Sequence, residues 1–576
     1  MKKYIMITLS AIMLWCSSCD SDFLDQKVLT VLNEETVFTD SLRSVQYLTG
    51  IYADINFSWS LNRTMGVGGM GLYAASDEGD LDNAQPNSYV LRLIAGAGNA
   101  SNVDKTIWTV AYQRIRGINL MLRNKDKIPV SAALKTRMIA EAKFLRAWYY
   151  FTLLKHYGGI SLMGDKVFEL TDNLNIARSS YEETLNYILG ECDVAAADLP
   201  LNYNGTPDYG RITKGAVLAL KSRALLYAAS PLFNGGIATV TTDANLSKLL
   251  GYSNADPERW KKALDAAEAV INLNQYVLNT STSTTPGAGF YETFTKRINN
   301  EYIFTFMRGN NKYVENLFDM PSRGNNTPKC FPFQEMVDAF GMKNGLPITD
   351  DKSGYNPNDP YTNRDPRFYY TIIYNGALRF RSGFSTEQPV YSYVGSGSDQ
   401  IYTITTTGYY CYKMIDKTAV TAGGSETGRC DPLIRYAEIL LNAAEANNEY
   451  YGATTKVYDY LIQIRKRAGI TAGADNLYGL KANMTKEEMR SAIMNERRVE
   501  LAFEEHRYWD VRRWKIAEQI ENKTMTGMEI NRLANGTYTY TKISTRQHVF
   551  KPEMYFWPIP QSEIIKAPAL KQNPGY

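Results

Sequence analysis

Three histidines, His156, His506 and His548, are all the imidazole chemistry the chain offers. None stands at metal-ligand spacing from another, and no HExxH run places two ligands and a base on one helix face. No GxSxG elbow presents a nucleophilic serine. Gly66-Val67-Gly68-Gly69-Met70-Gly71 does match GxGxxG. It follows a polar, tryptophan-containing stretch instead of a buried strand, and no βαβ unit surrounds it, so it reads as a loop. Asp77-Glu78-Gly79-Asp80-Leu81-Asp82-Asn83 gathers oxygen donors without EF-hand spacing or its closing glutamate. A solvated loop is the first reading there, with contact to calcium or to sugar hydroxyls as the alternatives. Carboxylates are too numerous for counting to exclude a glycosidase pair, yet nothing singles one out. The expectation is a binding protein with no catalytic residue, no metal and no cofactor.

Cys192, Cys330, Cys411 and Cys430 are far apart and form no CxxC pair, which argues against zinc. Four cysteines allow three complete pairings, and the sequence does not choose among them. Cys192 falls on an apolar helical stripe, where a buried thiol is expected.

Among 576 residues, Lys+Arg 63 against Asp+Glu 60 gives +3, and removal of Lys2 and Lys3 with a leader leaves +1. Such a balance carries no electrostatic footprint for nucleic acid. Hydrophobic residues make up 44% and charged residues 21%, which excludes disordered, collagen-like and disulfide-scaffold classes. Tyrosine (41) outnumbers phenylalanine (21). Its apolar face and polar tip suit half-wet surfaces.

Lys2 and Lys3 precede an apolar run from Tyr4 to Trp15, the pattern of a secretory leader too short to span a bilayer. In Cys16-Ser17-Ser18-Cys19, small residues precede Cys19 as in a lipobox, so residues 1–18 read as signal peptide and Cys19 as the lipidated N-terminus. Asp20, Ser21, Asp22 and Asp25 follow, an acidic stretch resembling a surface-export signal. The expected location is the outer membrane, lipid-anchored and facing outward.

Helical periodicity positions the rest. Trp108, Ala111, Ile115, Ile118 and Leu122 share one face, as do Leu185, Ile188, Cys192, Ala195 and Leu199. Further helices are expected over 132–157, 213–230, 256–274, 432–449, 453–469 and 485–515. Thr213 and Thr485 serve as N-caps, the latter in a capping box with Glu488, and Gly158 and Gly469 end helices. The helices pair at about tetratricopeptide (TPR) length, with alanines at close approaches. Such pairs stack around one continuous core. The fold class is therefore mostly α, a TPR-like scaffold over about 35–275 and 432–515, in a single domain from 19 to 576. Between about 276 and 431, Gly, Pro, Asn, Ser and Thr cluster, and alternating runs such as Tyr402 to Thr407 predict short strands. In repeat scaffolds such insertions often carry the binding face.

The run from Asn495 to Trp514 (NERRVELAFEEHRYWDVRRW) resembles the signature of the SusD/RagB family of surface lipoproteins. So do Phe23-Leu24-Asp25, residues 141–159, Arg364-Asp365-Pro366-Arg367-Phe368, residues 435–441, and the ending from Trp557 to Tyr576. Physically, the 495–514 run looks structural, because glutamates at 496, 500 and 504 face an excess of arginine forks. The resemblance implies a SusD-like scaffold that binds oligosaccharide on aromatic platforms. It also implies a partner, a SusC-like TonB-dependent transporter for which the protein is the lid, with the apolar tail Met554-Tyr555-Phe556-Trp557 either in that contact or in the core. A peptide- or other-nutrient-binding lid and, less favoured, a surface hydrolase are the alternatives. The family's ligand residues do not carry over singly. Two regions are candidates: Asp80, Asn83 and Tyr89 in the first, Asn311, Tyr313 and Phe318 in the second.

Overall fold

The computed structural model describes residues 33–58, 71–81, 89–320, 330–380, 384, 386–399, 407–419 and 426–576. Cys19, Asn83, the glycine-rich run as far as Met70 and nearly all of the Tyr402–Thr407 run lie outside them.

The principal helices are α1 (Ser41–Tyr52), α2 (Thr106–Arg123), α3 (Ala132–Tyr157), α4 (Tyr181–Asp198), α5 (Lys214–Ala229), α6 (Glu258–Ile271), α7 (Tyr436–Tyr451), α8 (Thr455–Ala468), α9 (Lys486–Glu500) and α10 (Arg507–Arg513). Each packs on its neighbour in order from α1 to α8, with α9 also against α7. The expected caps are in place. Thr213 accepts from Ala216 N at 3.2 Å, Thr485 and Glu488 form the reciprocal box, and Gly469 closes α8 in the left-handed conformation. The stack is not broken by the long insertion. α6, which buries Trp260, Ala263, Leu264, Ala267 and Val270, packs against both α5 and α7, and α7 buries Ala443, Ala444 and Ala446.

Short strands pair only in twos: β1 (Gly79–Asp80) with β3 (Phe331–Pro332), β2 (Tyr302–Asn311) with β8 (Thr427–Arg435), β4 (Ile372–Ile373) with β7 (Tyr410–Cys411), β5 (Leu378–Arg379) with β6 (Gln388–Pro389), and β9 (Thr524–Arg532) with β10 (Tyr538–Gln547). The β2–β8 ribbon pairs Tyr302 with Arg435 and Asn311 with Thr427, so the insertion leaves and re-enters the scaffold at one place.

Two expectations are corrected. The helix expected from 432 starts at Tyr436, because residues up to Arg435 are used in the β2–β8 pairing. The helix expected over 485–515 is two helices, α9 and α10, separated by a turn in which Phe503 (φ 57) and Glu505 (φ 65) are left-handed.

That turn brings Glu504 round into a buried ionic lattice. Glu496 receives Arg367 at 2.6 Å and Arg465 at 2.8 Å. Glu500 receives Arg367 at 3.0 Å, Arg435 at 2.7 Å and Arg467. Glu504 meets Arg435 at 2.6 Å and Lys413 at 2.9 Å, and Glu301 meets Arg435 and Arg467, each at 2.7 Å. Asp365 holds Arg367 at 2.8 Å. Five carboxylates thus neutralise five cations, with no side chain more than 11% exposed. Burial alone raises the pKa of Glu500, but Arg467, Arg435 and Arg367 outweigh it and hold the carboxyl well below its ordinary range.

Removing one member strands buried charge, which typically costs about 3–5 kcal/mol, whereas exposed pairs contribute about 0–1 kcal/mol. Glu500→Gln is therefore expected to lower the urea unfolding free energy by about 3 kcal/mol or more. Lys456→Ala, which breaks the exposed pair with Glu268, is expected to change it by under about 1 kcal/mol. Equal effects from the two in the same titration would show that the lattice is not a stability determinant.

Candidate ligand-binding face

The acidic loop is not a solvated cage. Asp77 is buried, with Arg507 at 2.7 Å and Arg498 at 2.7 Å from its oxygens. Glu78 is buried and accepts the Phe503 N–H at 2.8 Å, while its second oxygen has no hydrogen-bond partner. Asp80 is buried in β1 and paired with Arg546 of β10. The approach at Gly79 is close, because a Cβ would lie 3.0 Å from the Phe331 carbonyl oxygen across the β1–β3 pair. Among the described residues, no group of acidic, histidine or cysteine side chains is placed to hold a metal ion.

Two candidate aromatics are corrected to core. Tyr89 is 5% exposed and edge-on to Trp557 at 4.9 Å, and Phe318 is fully buried; neither offers a ring face to solvent. Trp557 is buried in turn, with Met554, Tyr555 and Phe556, so this apolar stretch is core. His156 packs between Trp509 and Trp557. All four described cysteines are free and buried, so none of the three pairings is formed.

The second region lies at the end of the β2–β8 ribbon. Tyr313 is half-buried, and its ring lies under the Arg308 guanidinium, 4.9 Å from ring centre to carbon. Asp431 of β8 fixes Arg308 through contacts at 2.8 and 2.9 Å and also accepts from Asn56 at 3.1 Å. The Tyr313 hydroxyl is buried and has no hydrogen-bond partner. Asn311 is committed locally: its amide donates to Gly309 O at 2.7 Å, and its oxygen accepts from Tyr313 N at 2.9 Å. It therefore positions Tyr313. Asn310, one residue earlier, is exposed. Sequence spacing missed Arg308, and its only signal was a lone arginine inside an otherwise apolar and polar strand.

The two candidate regions sit at opposite ends of one connection. Met320 follows the helix carrying Tyr313, and Cys330 leads into β3 against Asp80. The chain also leaves the described residues next to this ribbon at Ser58, beyond Asn56, and rejoins them at Glu426, ahead of Thr427.

The chain belongs to the SusD/RagB family. The SusD family model matches residues 291–576, and a related model, described as starch-binding and associating with the outer membrane, matches residues 23–226. SusD-like protein P38 of Formosa agariphila is 22% identical over 490 residues, 83% of this chain and 80% of that protein. A solved SusD-like protein from Bacteroides fragilis is 26% identical, covers 94% of this chain and 98% of its own, and superposes with a TM-score of 0.75. A solved laminarin-binding SusD-like protein shares the fold at 18% identity, 93% and 100% coverage and a TM-score of 0.62.

Burial, with Asp77 beside it, pushes the Glu78 carboxyl up to about 8 against the pull of the Phe503 N–H and two arginines. A carboxyl raised in the folded state contributes stability that is complete below its unfolded value near 4.5 and is lost as pH rises toward 8. Asp77 is shifted the other way and acts only at more acidic pH. Glu521, raised to about 7, has the same sign as Glu78 but is common to both proteins below and cancels in their difference. Melting curves from pH 5 to 9 are expected to show the Tm of Glu78→Gln rising relative to the native chain up to about pH 8 and levelling off above it. Parallel pH profiles would contradict the assignment.

Proposed function

We propose that the protein is a cell-surface glycan-binding lipoprotein that captures an oligosaccharide and acts as the lid of a SusC-like TonB-dependent transporter, breaking no bond itself. Family membership supports a carbohydrate-binding, outer-membrane role. The observation that carries the reading is the half-buried Tyr313, fixed by Arg308 and Asn311 with its hydroxyl unpartnered. A sugar's C–H face stacks on such a ring, and its hydroxyls pair with the guanidinium and the Asn310 amide. Asn83, in the chain between Asp80 and Tyr89, is proposed as a further polar contact from the neighbouring segment. Anchoring is through Cys19. No described helix is long and apolar enough to cross a membrane; in this reading the pore belongs to the transporter.

Calorimetry against a panel of laminarin and starch oligosaccharides tests the site. Stacking on an aromatic ring is worth about 1–3 kcal/mol in the nucleic-acid case, and sugar stacking is comparable or weaker. For whichever oligosaccharide binds, Tyr313→Ala is expected to weaken affinity about fivefold or more. Tyr313→Phe keeps the ring and removes only the buried, unpartnered hydroxyl, so it is expected to leave affinity close to the native value. Unchanged affinity in Tyr313→Ala would place the site elsewhere.

The lid reading is checked by purification from detergent-solubilised outer membranes at moderate salt. A stable contact buries roughly 1,200–2,000 Å² or more, so a large β-barrel protein is expected in near-equimolar yield. Recovery of the lipoprotein alone across several detergents and salts would leave a free-standing binder.

A further inference from the structure

Leu170 is fully exposed and Leu174 is 58% exposed, in the connection between α3 and α4. Both line a groove of about 450 Å³ with Trp108, Tyr112, Phe168 and Leu570. That volume is in the range of cavities that take a ligand or a chain segment. Large aliphatic side chains set bare around an aromatic floor are unfavourable in water. The groove needs a cover.

The described chain begins at its edge. Asn33 caps the short helix Glu34–Phe38, accepting the Thr36 N–H at 2.8 Å. Glu34 receives Arg123 of α2 at 2.6 Å, and the same guanidinium reaches Glu169 at 3.1 Å. Glu169 lies beside Leu170 on the groove wall. Asn33, where the described residues begin, therefore lies at the rim of the apolar groove. The residues just before it read Phe23-Leu24-Asp25-Gln26-Lys27-Val28-Leu29-Thr30-Val31-Leu32, with six large apolar side chains in ten. Ten residues reach at most about 33–36 Å, more than enough to run the length of such a groove. The family match also starts at Phe23, ahead of the first described helix.

We propose that the chain's own residues 23–32 occupy this groove, laying their apolar side chains against Leu170, Leu174 and the aromatic floor. The occupant is thus intramolecular, and the face is closed to the transporter. The consequence, which rests on the Cys19 anchor, concerns the tether. Fourteen residues from Cys19 to Asn33 form a leash of up to about 50 Å if free. With residues 23–32 seated, only Asp20, Ser21 and Asp22 remain, about 10 Å, and the protein body rides close to the membrane with this groove side toward it.

Hydrogen–deuterium exchange on the detergent-extracted native lipoprotein tests the docking without depending on the ligand or the transporter. The amides of residues 24–32 are expected to exchange at least about tenfold slower than free-peptide rates. That protection is expected to vanish in the double variant Leu170→Asp and Leu174→Asp, whose exposed positions leave the fold intact, while α2 to α5 exchange as before. A second variant, Leu29→Asp, approaches the contact from the other side and is expected to release the same amides. Free-peptide rates in the native protein would overturn the proposal, as would protection retained in both variants. Protection that appears only when the outer-membrane barrel fraction is added back would assign the groove to the transporter instead.

Discussion

Arg435 is the point on which the architecture turns. It ends the β8 strand, and its guanidinium contacts Glu301 from the start of the insertion, Glu500 from α9 and Glu504 from the turn after it. Arg467 from α8 closes the ring onto Glu301 and Glu500. Arg367 and Lys413, both inside the insertion, reach the same carboxylates from the opposite side. Charges this deep are unfavourable singly and tolerable only when every partner is present. The lattice therefore forms as a unit, and it forms only when insertion and scaffold are docked. This is why a long irregular stretch with little regular hydrogen bonding of its own belongs to the same folded body as the helices.

The helical stack contributes a different constraint. A solenoid needs each pair to cover its neighbour, yet the chain departs between α6 and α7 for the whole insertion. The stack survives because the β2–β8 ribbon returns the chain to its point of departure, and α6 and α7 pack against each other. The ribbon does double duty. Its scaffold end carries Arg435 into the lattice, and its far end carries Arg308, Asn310 and Asn311 to the candidate face. The proposed ligand contacts are thereby mounted on a strand tied to the scaffold at its other end, a suitable base for side chains that must keep their orientation.

Periodicity makes the helices legible, because apolar spacing at three and four reports burial on one face directly. The caps are legible too, since Thr213, Thr485 and Gly469 act through local geometry. What spacing does not show is the turn at 501–506, where the helical pattern continues through residues that the lattice pulls into left-handed backbone. Tertiary charge pairing overrides local propensity there. The β9–β10 hairpin has a readable signal in the alternating Tyr538-Thr539-Tyr540-Thr541 run and the Asn535-Gly536 turn, although it falls beyond the helical signature that dominates this part of the chain. At the candidate face, residue type finds Tyr313 and Asn311, but residue type cannot tell a buried ring from a presented one. Tyr89 and Phe318 therefore stand alongside them in the sequence, and only packing separates the four.

The acidic residues show the same limit from another side. In sequence, Asp77, Glu78 and Asp80 look like oxygen donors waiting for a ligand, while Glu496, Glu500 and Glu504 look like scaffold. In the structure both sets are buried and mostly paired with arginine; they differ in how completely. The lattice neutralises its carboxylates with several cations each and holds Glu500 ionised. Glu78 instead has one backbone donor, an unpartnered oxygen and a carboxylate neighbour, so burial wins and the proton stays. The incompletely paired set lies where β1 leads toward the proposed ligand segment, and the complete set lies where the scaffold is locked. The glutamate- and arginine-rich run thus marks the part of the molecule that the buried lattice locks. The proposed glycan contacts use a ring face and amides outside that lattice, where a side chain can differ without stranding a buried charge.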